Sequence, residues 1–223
     1  STTTLLCTDC LNIDHAIKVV ERCKSLVDFA EVKLLTSIPT DYIHAVKIEP
    51  INTLVHYSIF MLKLAHEYID TPHCLIVQRD GWILNPQSWT DDFLNYDYIG
   101  PLFNQFDQQG VGGFSFRSAK LMEAASRLYP AWDGTGRGAE VLQPKVGMYE
   151  DGAIAVDKKN ELINMGFKFP PLEVAAHFAQ GGNPNPNYYR PKPFGFHGSW
   201  RAIDQETGFV HPEIKHDGVI IEI

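Results

Sequence analysis

The chain of 223 residues is 44% hydrophobic and 12% aromatic, enough apolar material for one sizeable core, so a single domain over residues 1–223 is expected. Its 19 Lys and Arg against 27 Asp and Glu leave a net charge of −8 without any basic cluster, which argues against nucleic acid or an anionic membrane surface as the main partner. No apolar run approaches the roughly 18 residues needed for a transmembrane segment, and no secretory leader is visible.

In chain order, Thr2 to Cys7 reads as a strand and His15 to Phe29 as an amphipathic helix with Asp14 as its N-cap. Glu31 to Leu35 and Ala45 to Ile48 read as the next two strands. After Pro50 a long helix is expected over Asn52 to Ile69, stopped by Thr71-Pro72, and Cys74 to Val77 is a short apolar strand. Strands alternating with helices imply a largely parallel sheet covered on both faces. Further on, Tyr98-Ile99-Gly100 and Gly113 to Arg117 read as strands, Ser118 to Leu128 as a helix, and Asp151 to Met165 as a helix ended by Gly166. The glycine-bearing stretch Trp132 to Lys145 reads as a mobile loop. The Gly-, Pro- and Asn-rich run from Gln180 to Trp200 is expected to hold little regular structure.

The four cysteines include the pair Cys7-Thr8-Asp9-Cys10, but no second pair follows at zinc-site spacing, so reduced side chains near a strand end are expected. Free thiols suit a reducing cytoplasm, the expected location. The chain opens at Ser1 without Met and reads as trimmed, or as part of a longer polypeptide.

Four points carry chemistry. The strand "CLIV" runs out into Gln78, Arg79 and the lone carboxylate of Asp80, which is either a turn former with Gly81 or a group at the carboxyl end of a central strand, where open α/β sheets bind ligands. Gly112 and Gly113 precede "FSFRS", Glu150 and Asp151 open a helix, and His197 lies in "FGFHG". Taken singly, each has an ordinary structural reading: turn, backbone geometry, dipole partner, packed histidine. An acidic protein that binds a phosphate ester also needs a counter-charge, and a divalent cation supplies one.

Together the phrases "LIVQRDGWILNPQSW", "YDYIGPLF", "VGGFSFRS", "MYEDGAIA" and "PFGFHG" resemble GT-A-type nucleotide-sugar glycosyltransferases, and look most like a bacterial family encoded with surface-polysaccharide genes. The likeness runs from the first strand to His197. It implies an α/β, Rossmann-like GT-A domain, with residues 1–100 as the nucleotide-sugar half and 101–223, including an irregular C-terminal segment, as the acceptor and catalytic half.

The resemblance also implies roles. Gln78-Arg79-Asp80 stands where such enzymes carry Asp-x-Asp, so Asp80 would hold Mn²⁺ or Mg²⁺ on the donor diphosphate, with His197 as the second protein ligand. Gln78 would bond the ribose or sugar, and Arg79 belongs to the same donor motif. Thr8 and Asp9, with Cys10, would meet the nucleotide, although Asp9 also reads as a cap for the following helix. Gly112 and Gly113 would lie beside the sugar and Glu150 next to Asp151. Asp151, kept ionised by a helix N-terminus, would be the base. Read from the residues themselves, Trp82, Tyr188, Tyr189 and Trp200 are candidates to stack on acceptor sugars, with burial the safer expectation for at least two of them. Arg190 and Lys192 are candidates to approach the diphosphate, with a solvated loop charge the stronger expectation. The implied activity is inverting hexosyl transfer from a nucleoside diphosphate sugar, with UDP the expected nucleotide, to a glycan or glycolipid. The alternatives are a non-catalytic nucleotide- or carbohydrate-binding module, favoured by Gln78 in place of an aspartate, and a metal-dependent phosphoesterase, disfavoured by the lack of a dense His/Asp cluster.

Overall fold

The computed structural model describes residues 2–102, 109–128, 149–181, 188, 190 and 192–198. A six-stranded sheet runs β3-β2-β1-β4-β7-β6, built from β1 (Thr3–Thr8), β2 (Glu31–Thr36), β3 (Ala45–Lys47), β4 (His73–Val77), β6 (Tyr98–Ile99) and β7 (Phe114–Ser118). The first four strands in that order are mutually parallel; β7 pairs antiparallel with β4, and β6 antiparallel with β7. A smaller sheet, β5-β9-β8, joins β5 (Gly81–Ile83), β9 (Gly195–His197) and β8 (Ala179–Gly181). Among the described residues no helix is long and apolar enough to cross a membrane.

The apolar runs are two-faced. In β1, Leu5 and Cys7 face a layer that includes Ala16, Val19, Val20 and Cys23 of α1 (Ile13–Leu26). Leu6 faces the opposite layer, with Tyr57, Phe60 and Met61 of α2 (Leu54–Lys63) and Met122 of α3 (Ala119–Leu128). In β4, Leu75 and Val77 join the first layer, Cys74 and Ile76 the second. Side chains alternate along a strand, so a strand covered by helices on both faces must be apolar at every position.

Helix boundaries differ from the expectation where backbone groups find other partners. Asn12, not Asp14, caps α1: its side-chain oxygen accepts the His15 N–H at 3.2 Å, and Asp14 falls inside the first turn. The helix stops at Leu26 because the chain must turn into β2, and the Ala30 N–H is taken by the Thr3 carbonyl at 3.0 Å. The long second helix is α2 followed by a separate 3₁₀ turn, Ala65–Tyr68, which brings Tyr68 back over Phe60 with ring centroids 5.9 Å apart.

The expected helix after Asp151 is in three pieces: α4 (Glu150–Gly152), a π-helical segment Ala153–Asp157, and α5 (Lys159–Asn164). The wider π turn lets Ala153, Ile154 and Ala155 all face inward in one cluster with Ile59, Leu62 and Leu121. Gly166, at φ +96°, ends α5 as expected.

Within the run from Gln180 that was expected to hold little regular structure, β9 is a regular element among the described residues. Gly195-Phe196-His197 pairs with Gly81–Ile83 on one side and Ala179–Gly181 on the other, giving its backbone partners that no local pattern announces. The preceding helix α6 (Leu172–Phe178) and Phe194 pack onto Phe114. The loop expectation for Trp132 to Lys145, and the residues Tyr189 and Trp200, lie outside the described residues.

Candidate functional site

At the carboxyl end of β4 the chain turns within four residues: the Gly81 N–H bonds the Gln78 carbonyl at 2.9 Å, and β5 starts at Gly81. Gln78 and Asp80 are therefore presented at the rim of the sheet. The same turn is clasped from the far end of the chain. In register, β9 sets His197 opposite Gly81, and the Gly198 N–H bonds the Asp80 carbonyl at 3.0 Å. His197 Nε2 then lies 3.3 Å from Asp80 Oδ1 and 3.3 Å from Gln78 Oε1. So Asp80-Gly81 does make a turn, and the turn carries the carboxylate to a histidine more than a hundred residues away.

This donor set suits a divalent cation of modest affinity. One carboxylate, one imidazole and one amide oxygen are hard-to-intermediate ligands that Mn²⁺ accepts, and Mg²⁺ accepts the oxygens. Among the described residues no three His, Cys, Asp or Glu side chains converge, so other positions around an ion would fall to ligand phosphate oxygens and water.

On the other side of the glycine pair stands Asp151. Its Oδ2 accepts the Gly112 N–H at 2.9 Å and its Oδ1 the Gly152 N–H at 2.7 Å, which fixes the carboxylate's direction. Burial is the main influence that raises its pKa to about 6, and the neighbouring Glu150 charge adds to it; the two amide bonds and Arg117 pull the other way. The Gly152 N–H of the helix start does favour the anion, but burial outweighs it and the pKa is raised, not lowered. Asp151 is a carboxylate poised near neutrality by its surroundings.

Beneath it lies a buried ion pair that the sequence reading did not single out. Arg117 in β7 is fully buried, and its Nη2 donates to Glu150 Oε1 at 2.8 Å. The guanidinium also donates to Ser115 Oγ at 2.9 Å and lies 4.8 Å from the centre of the Tyr98 ring. Its pKa is raised by Tyr98 and Glu150 in spite of burial, so it stays charged. Glu150 thus faces a protein cation, not the cleft. The sequence signal was an arginine inside a short strand whose other residues are all Phe or Ser, "FSFRS".

The two clusters meet at Gly112 and Gly113. A Cβ on Gly112 would come within 2.6 Å of Glu150 Oε1 and 2.9 Å of Asp151 Cβ. A Cβ on Gly113 would lie 2.0 Å from His197 Nε2 and 2.6 Å from Gln78 Oε1. At Gly112 the buried Arg117–Glu150 pair and Asp151 leave no room for a side chain, whereas at Gly113 one would displace the tips of His197 and Gln78.

A cleft of about 330 Å³ opens from Gln78, Arg79 and Asp80 toward the loop after β1 and the start of α2. Thr8, Asp9, Cys10 and Leu11 line one wall and Ile51 to Leu54, with Tyr57, the other. Asp9 shapes that loop: its Oδ1 accepts the N–H groups of Leu11 and Asn12 at 2.7 and 2.8 Å, and Oδ2 is 3.9 Å from Arg79 Nη1. The Thr8 hydroxyl is turned to Met61 Sδ at 3.7 Å, back toward the core. Cys7, Cys23 and Cys74 are buried free thiols and Cys10 is a half-buried one.

Of the aromatic candidates, Trp82 is fully buried in the core with its ring centroid 5.8 Å from that of Phe196, so it cannot stack on a ligand. Tyr188 packs against the core. Lys192 is exposed and Arg190 half-buried.

The parallel run β3-β2-β1-β4, the antiparallel β7 and the acidic turn closing β4 define a GT-A-type α/β fold. The same architecture is found in a glycosyltransferase involved in glycosylation of the major capsid of PBCV-1, with a TM-score of 0.51 at 13% identity over 88% of this chain and 92% of that one. A mannosyltransferase from Pyrobaculum calidifontis, solved with GDP-Man and Mn²⁺, is similar at a TM-score of 0.47 and 12% identity, over 76% of this chain and 55% of its own. Glucosyl-3-phosphoglycerate synthase from Mycobacterium tuberculosis, solved with Mn²⁺ and UDP-glucose, gives a TM-score of 0.39 at 12% identity, over 54% of this chain and 57% of that one. No curated protein matches the chain in sequence. Residues 38–197 match the family described as "Protein of unknown function (DUF5672)", and the chain belongs to that family.

Proposed function

We propose that this protein is a metal-assisted glycosyltransferase that moves a hexose from a nucleoside diphosphate sugar, UDP being the expected nucleotide, to a hydroxyl of a glycan or glycolipid, with inversion at the anomeric carbon. The observation that carries the reading is the 3.3 Å approach of His197 Nε2 to both Asp80 and Gln78 at the mouth of the cleft, with Asp151 just behind the adjoining Gly112. Asp80 and His197 would hold Mn²⁺ or Mg²⁺, which as a Lewis acid stabilises charge growing on the departing diphosphate. That cation also answers how a chain of net charge −8 holds a diphosphate.

The protein's own residues do the rest. Thr8, Asp9 and Arg79 form the wall for the nucleoside end, and Gln78 bonds the ribose or sugar. Asp151, fixed by two backbone N–H groups, takes the proton of the attacking hydroxyl; a base with a pKa near the working pH is effective in that role. Attack from the face opposite the leaving diphosphate inverts the centre, by the stereochemical logic of inverting glycosidases. The buried free thiols support a reducing compartment, the cytoplasm, as the place of work, and bacterial surface-polysaccharide assembly as the setting agrees with the motif resemblance.

The test is donor turnover with and without Mn²⁺, for the parent and for Asp80→Ala. Metal-dependent turnover lost in the variant is expected; undiminished turnover removes Asp80 from the mechanism. Gln78 at the place of a carboxylate favours one rival, a binding module without turnover. Calorimetry showing nucleotide uptake without donor cleavage under any metal condition would establish that rival.

A further inference from the structure

Tyr57 leaves one polar atom unanswered. It projects from α2 into the layer behind Leu6 and Ile76, is only 9% exposed, and its hydroxyl is buried with no hydrogen-bond partner among the described residues. Buried hydroxyls almost always have partners, and an orphan suffers the loss of water without any return. Phenylalanine would fill the same space without that cost. A neighbouring polar group is the Gln78 amide, which leans on the phenol oxygen as a donor without reaching hydrogen-bond geometry. Its carbonyl oxygen is turned to His197 Nε2 at 3.3 Å, so the phenol's own proton has no acceptor among the described residues. Tyr57 also lines the 330 Å³ cleft, beside Gln78, Asp80 and Thr53. Burial foremost, and then the charge of Glu150, hold the phenol protonated, so it can donate a hydrogen bond throughout the physiological range.

We propose that Tyr57 is a ligand-recognition residue whose hydroxyl donates to an acceptor oxygen, phosphate or hydroxyl, of the nucleoside diphosphate sugar bound in this cleft. The inference rests on the glycosyl-donor reading above and adds a contact to it. Asp80 and His197 would act through a metal, whereas Tyr57 gives a direct, uncharged hydrogen bond from the helix that forms the opposite wall. Its hydroxyl is a cost to the empty protein and a gain to the complex, which is the energetic signature of a binding group, as distinct from a packing group.

The experiment compares the parent and Tyr57→Phe by thermal melting without ligand, and by calorimetry with uridine, UMP, UDP and UDP-glucose in the presence of Mn²⁺. The empty variant is expected to melt at the parent temperature or above it. Affinity is expected to fall about tenfold for the first ligand in that series that carries the contacted oxygen and for those after it. The point at which the loss sets in tells a ribose oxygen from a phosphate or sugar one. Equal affinity of both proteins for all four ligands overturns the inference while leaving the donor reading intact. A variant that melts well below the parent shows the hydroxyl to be partnered inside the protein and overturns it equally. If the parent itself binds none of the four, the donor reading fails first and this contact fails with it.

Discussion

Asp151 is held between opposing influences: burial and the Glu150 charge push its proton affinity up, while two amide bonds and Arg117 pull it down. The group must be deprotonated to accept a proton, so kcat/KM should rise with pH through an apparent pKa of about 6 and level off above it, as a pH-rate profile would record. Asp151→Asn should lower turnover by about 10²–10⁴-fold with little change in nucleotide affinity. Glu150→Gln removes a neighbouring negative charge, so the acid limb of whatever activity remains should move to lower pH. The same change leaves Arg117 charged and unpaired in the interior, which costs on the order of 3–5 kcal/mol and should appear as a large drop in the urea midpoint. A limb that stays in place would mean that Glu150 is too well neutralised by Arg117 to be felt at Asp151.

At the scale of elements, β9 and the glycine pair decide whether the site exists. The Phe114 ring occupies the space of a Gly195 side chain, with Cε1 only 2.0 Å from where its Cβ would be. Gly195→Ala should therefore push β9 off β5 and β8 and carry His197 with it. Gly113→Ala is the milder test, because its Cβ would meet the tips of His197 and Gln78, which can swing aside. Expected are a fall in Mn²⁺ affinity of about tenfold or more, measured by calorimetry with UDP, and a melting temperature within a few degrees of the parent. Parent-like metal binding in Gly113→Ala would separate His197 from the cation. The strands β1, β2 and β4 and the helices on either face were readable because their apolar periods are local. The strand β9 was not: its three residues sit among prolines and glycines, and pairing with distant Gly81–Ile83 makes it a strand.

For the whole molecule, the halves suggested by the motifs should fold as one unit in the proposed single domain. β7, from the second half, pairs with β4 over five residue pairs, and the strand partner of β6 among the described residues is β7. Residues 1–102 alone should therefore lack cooperative thermal unfolding by circular dichroism, and the full chain should melt in one transition. A fragment that melts cooperatively would show the donor half to be autonomous. The acidic balance acts at this scale too. With a net charge of −8, chelation by EDTA should weaken UDP binding more than any single cleft substitution, and Mn²⁺ should restore it.

From the sequence alone came the layered α/β plan, the strand β4, and the short set of polar residues Gln78 to Asp80 that follows it, because hydrophobic period and turn chemistry act over neighbouring positions. Only the tertiary structure decided that His197 reaches Asp80, that Arg117 neutralises Glu150 beneath Asp151, that Trp82 is among the buried aromatics, and that Tyr57, its hydroxyl buried without a partner among the described residues, lines a cleft. Those facts depend on contacts between segments far apart in the chain, where burial, charge and close backbone approach are set by the whole fold and leave no local pattern to read.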